Sequence, residues 1–269
     1  MDSESEVSWA TSMLRMVEER LKSEAPDEHE KYTRLNNKGK LEYIRKHWHL
    51  LDVGFDKALL DQINAVLHPL LEKVVTEEIN KEIYEHHIPK SVAAKHNMIE
   101  FRIIMQRYAN YVKRRSLEEE SRLSLPYYLM IVESVYTADV DLVIFLLAKS
   151  GTRYYRTKYD RSREYVALES LAALDSETLY NKLVFLRENG FSVISDVCDR
   201  YLRNSIAHMD FVALKDGSVA YERMRKKTII PKHELEARIV RLISVCQCVS
   251  ESLNDFYGRR YGFYQTQSK

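Results

Sequence analysis

Helix breakers are scarce in this chain: 7 glycines and 5 prolines interrupt 269 residues. That excludes a turn-rich β fold or a collagen-like repeat, and leaves room for long helices. Cysteine is scarce too. Cys198, Cys246 and Cys248 are odd in number and contain no Cys-x-x-Cys pair, which argues against a secreted disulfide framework and for a reducing interior. No apolar run approaches about 20 residues, so no membrane span is expected. The acidic opening Met1-Asp2-Ser3-Glu4-Ser5-Glu6 does not read as a secretory signal. A soluble cytoplasmic protein without a membrane partner is the expectation. Neither sign of charge dominates, with 41 Lys plus Arg against 40 Asp plus Glu. Any nucleic-acid partner must therefore be held by a local patch.

What the chain does have is 45% hydrophobic and 30% charged residues, enough for a buried core under a solvated surface. From Ser8 to about Glu24, and from Lys40 to about Arg115, apolar residues recur every three or four positions. Ile63, Val66, Leu67, Leu70, Leu71 and Val74 are the clearest stripe. The charged run around Glu118-Glu119-Glu120 leads to Leu125-Pro126, and the proline predicts a helix stop. A boundary is expected there, between an N-terminal helical region (1–123) and a second domain (124–269).

Beyond it the pattern predicts an apolar helix from Tyr127 to Lys149 capped by Gly151, then short helices near Ser162 to Leu174 and Ser176 to Glu188. A further helix after Ser192 carries Ile194, Val197, Cys198, Tyr201 and Leu202. Phe211–Leu214 and Ser218–Tyr221 flank Lys215-Asp216-Gly217, a hairpin signal. From Pro231, apolar positions Leu235, Ile239, Leu242, Cys246, Val249, Leu253 and Phe256 form an unbroken seam, for use within a bundle or across a dimer.

The grouping that could carry chemistry is Arg203-Asn204-Ser205-Ile206-Ala207-His208. In a chain this size about one Arg-x4-His match is expected by chance, so the bare pattern decides nothing. Its setting adds more: a polar residue follows the arginine, the motif ends a helix, and a hairpin and a long last helix follow. Over roughly Pro126 to Gly258 this ensemble resembles the HEPN superfamily, whose signature is Arg, a polar residue, then His after a short spacer.

The resemblance implies an all-α helical bundle of HEPN type, here with one small β-hairpin insertion and the additional N-terminal helices. It also implies a homodimer with facing motifs and, in active members, metal-independent RNA cleavage, as in a toxin or anti-phage effector with an antitoxin or regulatory protein as partner. Many members are non-catalytic binding modules. No cofactor or metal is called for.

The residue types suit that chemistry. RNA supplies its own nucleophile, the 2′-hydroxyl. An imidazole such as His208 ordinarily titrates near neutral pH and can carry a proton. Arg203 can hold phosphate oxygens with two donors, and Asn204 can orient a hydroxyl. On an ideal helix Arg203 and His208 stand roughly 140° apart, so either the helix unwinds near Ser205 to His208 or a second motif comes from a partner subunit. The plainer reading is a capping arginine and a histidine bonded to a helix-end carbonyl.

A second candidate is the basic-aromatic stretch Arg153, Tyr154, Tyr155, Arg156, Lys158, Tyr159 and Arg161, extending to Arg163 and Tyr165. It offers phosphate charge beside stacking rings as an RNA-binding patch, or else is a solvated loop. Tyr257, Arg259, Arg260, Tyr261, Phe263 and Tyr264 repeat the mixture at the C-terminus. His47, His49, His86, His87 and His96 lack the spacing of a recognised metal site. Glu133, within an apolar helix, either faces solvent or supports the motif.

Overall fold

Asp56 opens the first long helix by accepting a hydrogen bond from the Leu59 amide at 2.9 Å. The helix, α2 (Lys57–Val74), buries Leu59, Ile63, Leu67, Leu70, Leu71 and Val74. The computed structural model describes residues 18, 22, 26–36, 39–40, 56–111, 116–158 and 160–260. The chain divides into two compact units, Met1–Gly54 and Phe55–Lys269. Within the first, α1 (Pro26–Thr33) carries the buried Tyr32, whose ring lies 5.0 Å beneath the Lys40 ammonium. Most of the helix expected from Ser8 to Glu24, together with His47 and His49, lies outside the described residues.

In the second unit α2 is followed by α3 (Glu77–Glu82), a π-turn (Ile83–His87) and α4 (Ile88–Tyr111). Next come α5 (Leu117–Ile131), a second π-turn (Val132–Tyr136) and α6 (Thr137–Lys149). The acidic run that led to the expected boundary is the first turn of α5. Ser116 and Glu119 form a reciprocal capping box, and Glu118, Glu119 and Glu120 sit at the positive end of the helix dipole.

Pro126 does not stop this helix. It lies inside α5, directly after Leu125 and two residues before Tyr128, both fully buried. An interior proline costs on the order of 3 kcal/mol, which the burial of these side chains and Ile131 offsets. The boundary expected between residues 123 and 124 thus falls inside a helix and inside one compact unit.

Helix α6 is the centre of the unit, with every side chain from Ala138 to Leu147 buried. It ends as expected at Gly151, which adopts φ +98°, with the Thr152 amide donating back to Leu147 O at 3.1 Å. The last helix, α10 (Lys232–Arg260), packs along α2, and the whole seam from Leu235 to Phe256 is buried within the chain. Of the two uses the pattern allowed, the internal one is realised, so this seam supplies no argument for a dimer.

Between α6 and α10 the chain is less helical than expected. Two short strands, β1 (Tyr155–Thr157) and β2 (Arg163–Tyr165), pair antiparallel in the register Arg156 opposite Glu164. The segment Ser162 to Leu174, read as a helix, is this strand followed by loop and a 3-10 turn (Leu171–Ser176). Helix α7 (Leu179–Glu188) ends at Asn189-Gly190 as expected. The helix expected after Ser192 is split into α8 (Ser192–Ser195) and α9 (Arg200–Ala207), because Asp199 caps a fresh start.

The hairpin around Lys215-Asp216-Gly217 is present as β3 (Phe211–Ala213) and β4 (Val219–Arg223). Gly217 has φ +80°, and a Cβ there would meet Lys232 Cδ at 2.9 Å and Leu117 Cβ at 3.1 Å. A third strand, β5 (Lys226–Ile230), extends this sheet. The molecule is therefore mostly helical with two small antiparallel sheets. Among the described residues no helix is long and apolar enough to cross a membrane.

Candidate functional site

Helix α9 is held at its start by one carboxylate. Asp199 Oδ1 accepts from the Tyr201 and Leu202 amides at 3.0 and 3.1 Å, and Oδ2 accepts from Tyr221 Oη at 2.8 Å and Arg238 Nη1 at 2.6 Å. Burial alone would push this carboxyl up. The donors from Tyr221, the Leu202 amide and Arg238 more than offset that and hold it below the usual carboxylate range. The α9 start is thereby tied to β4 and α10, and Tyr128 Oη of α5 accepts from the Asp199 amide at 3.0 Å.

From this anchored start, Leu202, Ser205 and Ile206 turn into the core, while Arg203 is half-buried and Asn204 and His208 are exposed. The helix closes at Ala207. The Met209 amide donates to Ile206 O at 3.1 Å and the Asp210 amide to Ser205 O at 2.7 Å, with Met209 in the left-handed region at φ 57°. His208 is the capping residue of this end. Its own amide donates to Asn204 O, at 3.0 Å.

Arg203, Asn204 and His208 line one cavity of about 430 Å³, together with Thr178, Leu179, Tyr180, Arg200 and Tyr201. One chain thus gathers all three motif side chains. The helix stays regular through Ala207, and His208 follows as its capping residue.

Sequence reasoning placed three of the eight residues of this cavity in the site and missed the other five. The Arg200 guanidinium lies 4.0 Å from the Tyr180 ring centre and 4.6 Å from that of Tyr201, and Arg200 Nη2 donates to Tyr201 Oη at 2.7 Å. Arg223 lies 5.4 Å from the same Tyr201 ring. Adjacent Arg200-Tyr201 was a visible signal; Tyr180 comes from a different helix and gave none.

Glu133 is exposed and also accepts a hydrogen bond from Arg203 Nε, so both expectations for it hold in part. Its position in the π-turn between α5 and α6 brings it to the motif. Arg203 Nη1 also donates to Asn204 Oδ1 at 2.9 Å. The Glu133 contact outweighs partial burial and makes the guanidinium hold its proton still more firmly.

The second candidate patch is not presented as expected. Tyr154 is 1% exposed, packs edge-on against Phe185 at 4.9 Å and donates to Glu177, so it has no face to offer a base. Arg156 is paired with Glu164 at 2.7 Å and with Glu177 at 3.3 Å, and Lys158 with Glu164 at 3.4 Å. Arg163 is held by Glu188 at 2.6 Å. Strand pairing brings Glu164, the residue after the 3-10 turn is Glu177, and the end of α7 brings Glu188, so Arg156, Lys158 and Arg163 are offset by carboxylates. Arg161 sits in the turn at φ 67°, and Arg153 and Tyr155 line a smaller cavity of about 240 Å³. Tyr159 lies outside the described residues.

At the C-terminus Tyr257 donates to Asn80 Oδ1 at 2.9 Å, Arg259 pairs with Asp255, and the Arg260 guanidinium sits 6.0 Å over Phe256. That end of α10 is docked, while Tyr261, Phe263 and Tyr264 lie outside the described residues. His87 is buried beside Asp139, with Nε2 3.8 Å from Oδ1, and His86 lies 3.7 Å from Glu82. The described residues include no group of three or more His, Cys, Asp or Glu placed to hold a metal ion.

Comparison of the chain with family models, with curated proteins and with solved structures finds no match.

Proposed function

We propose that the chain is a HEPN-like endoribonuclease acting through the cavity at the end of α9, with Arg203, Asn204 and His208 as its working groups. The observation that carries this reading is that the three side chains line one cavity with Arg200 and two tyrosines. Cations, an imidazole and aromatic rings together match a phosphate flanked by a nucleobase.

In the reaction proposed, the RNA 2′-oxygen forms a bond to phosphorus while the bond from phosphorus to the 5′-oxygen breaks. The 2′-hydroxyl gives up a proton and the departing 5′-oxygen gains one. His208 is the side chain in the cavity suited to carry it, an effect worth about 10² to 10⁴ in rate. Arg203 faces the charge that grows on the phosphate oxygens, and Asn204 steadies its guanidinium. The products are a 2′,3′-cyclic phosphate and a 5′-hydroxyl.

A second reading is a non-catalytic module that binds a nucleotide or a partner protein at the same place. The Arg203–Glu133 pair favours it, since that guanidinium is already engaged. One experiment separates the two. Single-stranded RNA is incubated with the full chain in EDTA, and the ends are mapped. Cleavage to 2′,3′-cyclic phosphates that His208→Ala abolishes supports the enzyme. Binding without cleavage supports the module.

A further inference from the structure

The part of the cavity beyond the Arg-x4-His motif has its own composition. Tyr180 on α7 and Arg200 and Tyr201 on α9 converge there. The guanidinium is stacked 4.0 Å from one ring centre and 4.6 Å from the other, and its Nη2 is tied to Tyr201 Oη at 2.7 Å. Tyr180 nevertheless remains 42% exposed and lines the cavity. A planar cation held between rings with one ring still open is a stack that a further planar group can extend.

We propose that this stack is a nucleobase subsite: a base adjacent to the phosphate at Arg203 and His208 leaves its own strand and stacks on Tyr180. The inference rests on the functional reading above and adds which part of the ligand the cavity recognises. Each side chain contributes a separate piece of chemistry. The phenol ring of Tyr180 supplies a π-face that every base can use, and the Arg200 guanidinium, polarised from behind by Tyr201, strengthens the stack through its charge. A base paired inside a duplex has both faces stacked on its neighbours, so it cannot lie on the Tyr180 ring without first unstacking. The ligand class is therefore RNA with an unpaired base, and the same sequence in a duplex is a poor ligand.

The test uses the full chain and a short, fluorescently labelled, uniformly 2′-O-methylated oligoribonucleotide, which has no free 2′-hydroxyl and cannot be cleaved. Binding is followed by anisotropy, and cleavage of the matching unmodified strand is measured in parallel. Tyr180→Ala is expected to weaken binding about ten-fold or more, the range found when a stacking ring is lost. It should raise KM while leaving kcat within about two-fold, since Tyr180 touches no reacting atom. Tyr180→Phe, which keeps the ring and loses only the hydroxyl, should bind as the unsubstituted chain does. The oligonucleotide annealed to its complement should bind about ten-fold more weakly.

If Tyr180→Ala binds and cleaves unchanged, or if Tyr180→Phe is as impaired as Tyr180→Ala, the subsite is wrong while the nuclease reading stands. If binding depends on the ring but no RNA is cut, the subsite stands and the nuclease reading falls. A chain that binds neither strand form overturns both.

Discussion

Glu133 accepts a hydrogen bond from Arg203 Nε across a sequence separation of 70 residues, so the arginine of the motif is held by a carboxylate from the π-turn between α5 and α6. Their side chains are 43% and 27% exposed, which keeps the pair within reach of solvent and of a ligand phosphate. Any phosphate that takes Arg203 must compete with this carboxylate.

Glu133→Gln removes that competitor while preserving shape. Affinity for a non-cleavable oligoribonucleotide should rise about two- to five-fold, the scale of an exposed ion pair. Anisotropy titrations at fixed salt check it. Weaker binding in the variant would mean that Glu133 positions Arg203 instead of restraining it.

Asp199 is the single anchor of the α9 start, accepting from two backbone amides and from the Tyr221 and Arg238 side chains. Asp199→Ala takes the acceptor from the Tyr221 hydroxyl, leaves Arg238 paired with Glu234 alone, and removes the helix cap. A loss of about 2–4 kcal/mol is expected in urea unfolding. Because the carboxyl is held low, its contribution is present above its ordinary pKa and is lost as pH falls through the lowered folded value. Asp199→Ala and the unsubstituted chain should therefore converge in stability toward acid pH.

His87 and Asp139 are both buried, with His87 Nε2 3.8 Å from Asp139 Oδ1. Burial, reinforced by Lys95, lowers the His87 imidazole from 6.5 to about 3. Burial raises the Asp139 carboxyl from 3.8 to about 7, against the pull of Lys95. Taken alone, the aspartate stabilises fully below its unfolded pKa and loses that contribution as pH rises through its folded value. The histidine does the reverse, losing its contribution as pH falls below its unfolded value.

Between roughly pH 4 and pH 6.5 the two slopes cancel, since folding moves one proton from histidine to aspartate. Asp139→Asn leaves the histidine slope alone. Urea stability of that variant should climb by about 2–3 kcal/mol from about pH 4.5 to about pH 6.5, relative to the unsubstituted chain. Parallel curves for the two would show that Asp139 is not the proton acceptor.

The packing of α2 along α10 gives a clear expectation for truncation. A fragment Ser124–Lys269 loses α2, whose buried Leu59, Ile63 and Leu67 cover the α10 seam. It should be insoluble or molten, whereas Phe55–Lys269, one compact unit, should unfold cooperatively. Circular dichroism melts of the two fragments decide it.

Much of this was legible in the sequence for local reasons. The stripes on α2 and α10 follow the helical period, and the hairpin at Asp216-Gly217 follows from a turn that needs positive φ. The extra strand β5 was hidden because its turn, Met224-Arg225, takes positive φ at both residues without a glycine or asparagine to announce it. The acidic run in the first turn of α5 misled because the same glutamates that suit a solvated connection also favour a helix N-terminus.

At the site the division is similar. By itself the sequence determined the helical class, the apolar stripes, and the placing of arginine, asparagine and histidine at a helix end, because each depends on residues within a few turns of one another. Only the tertiary structure decided the rest. It brought Tyr180 to Arg200 and Glu133 to Arg203, buried Tyr154, and set Glu164 and Glu177 against Arg156. Those pairings join side chains from different elements, and charge or ring surface is free or cancelled according to which neighbour the packing supplies, which no local spacing encodes.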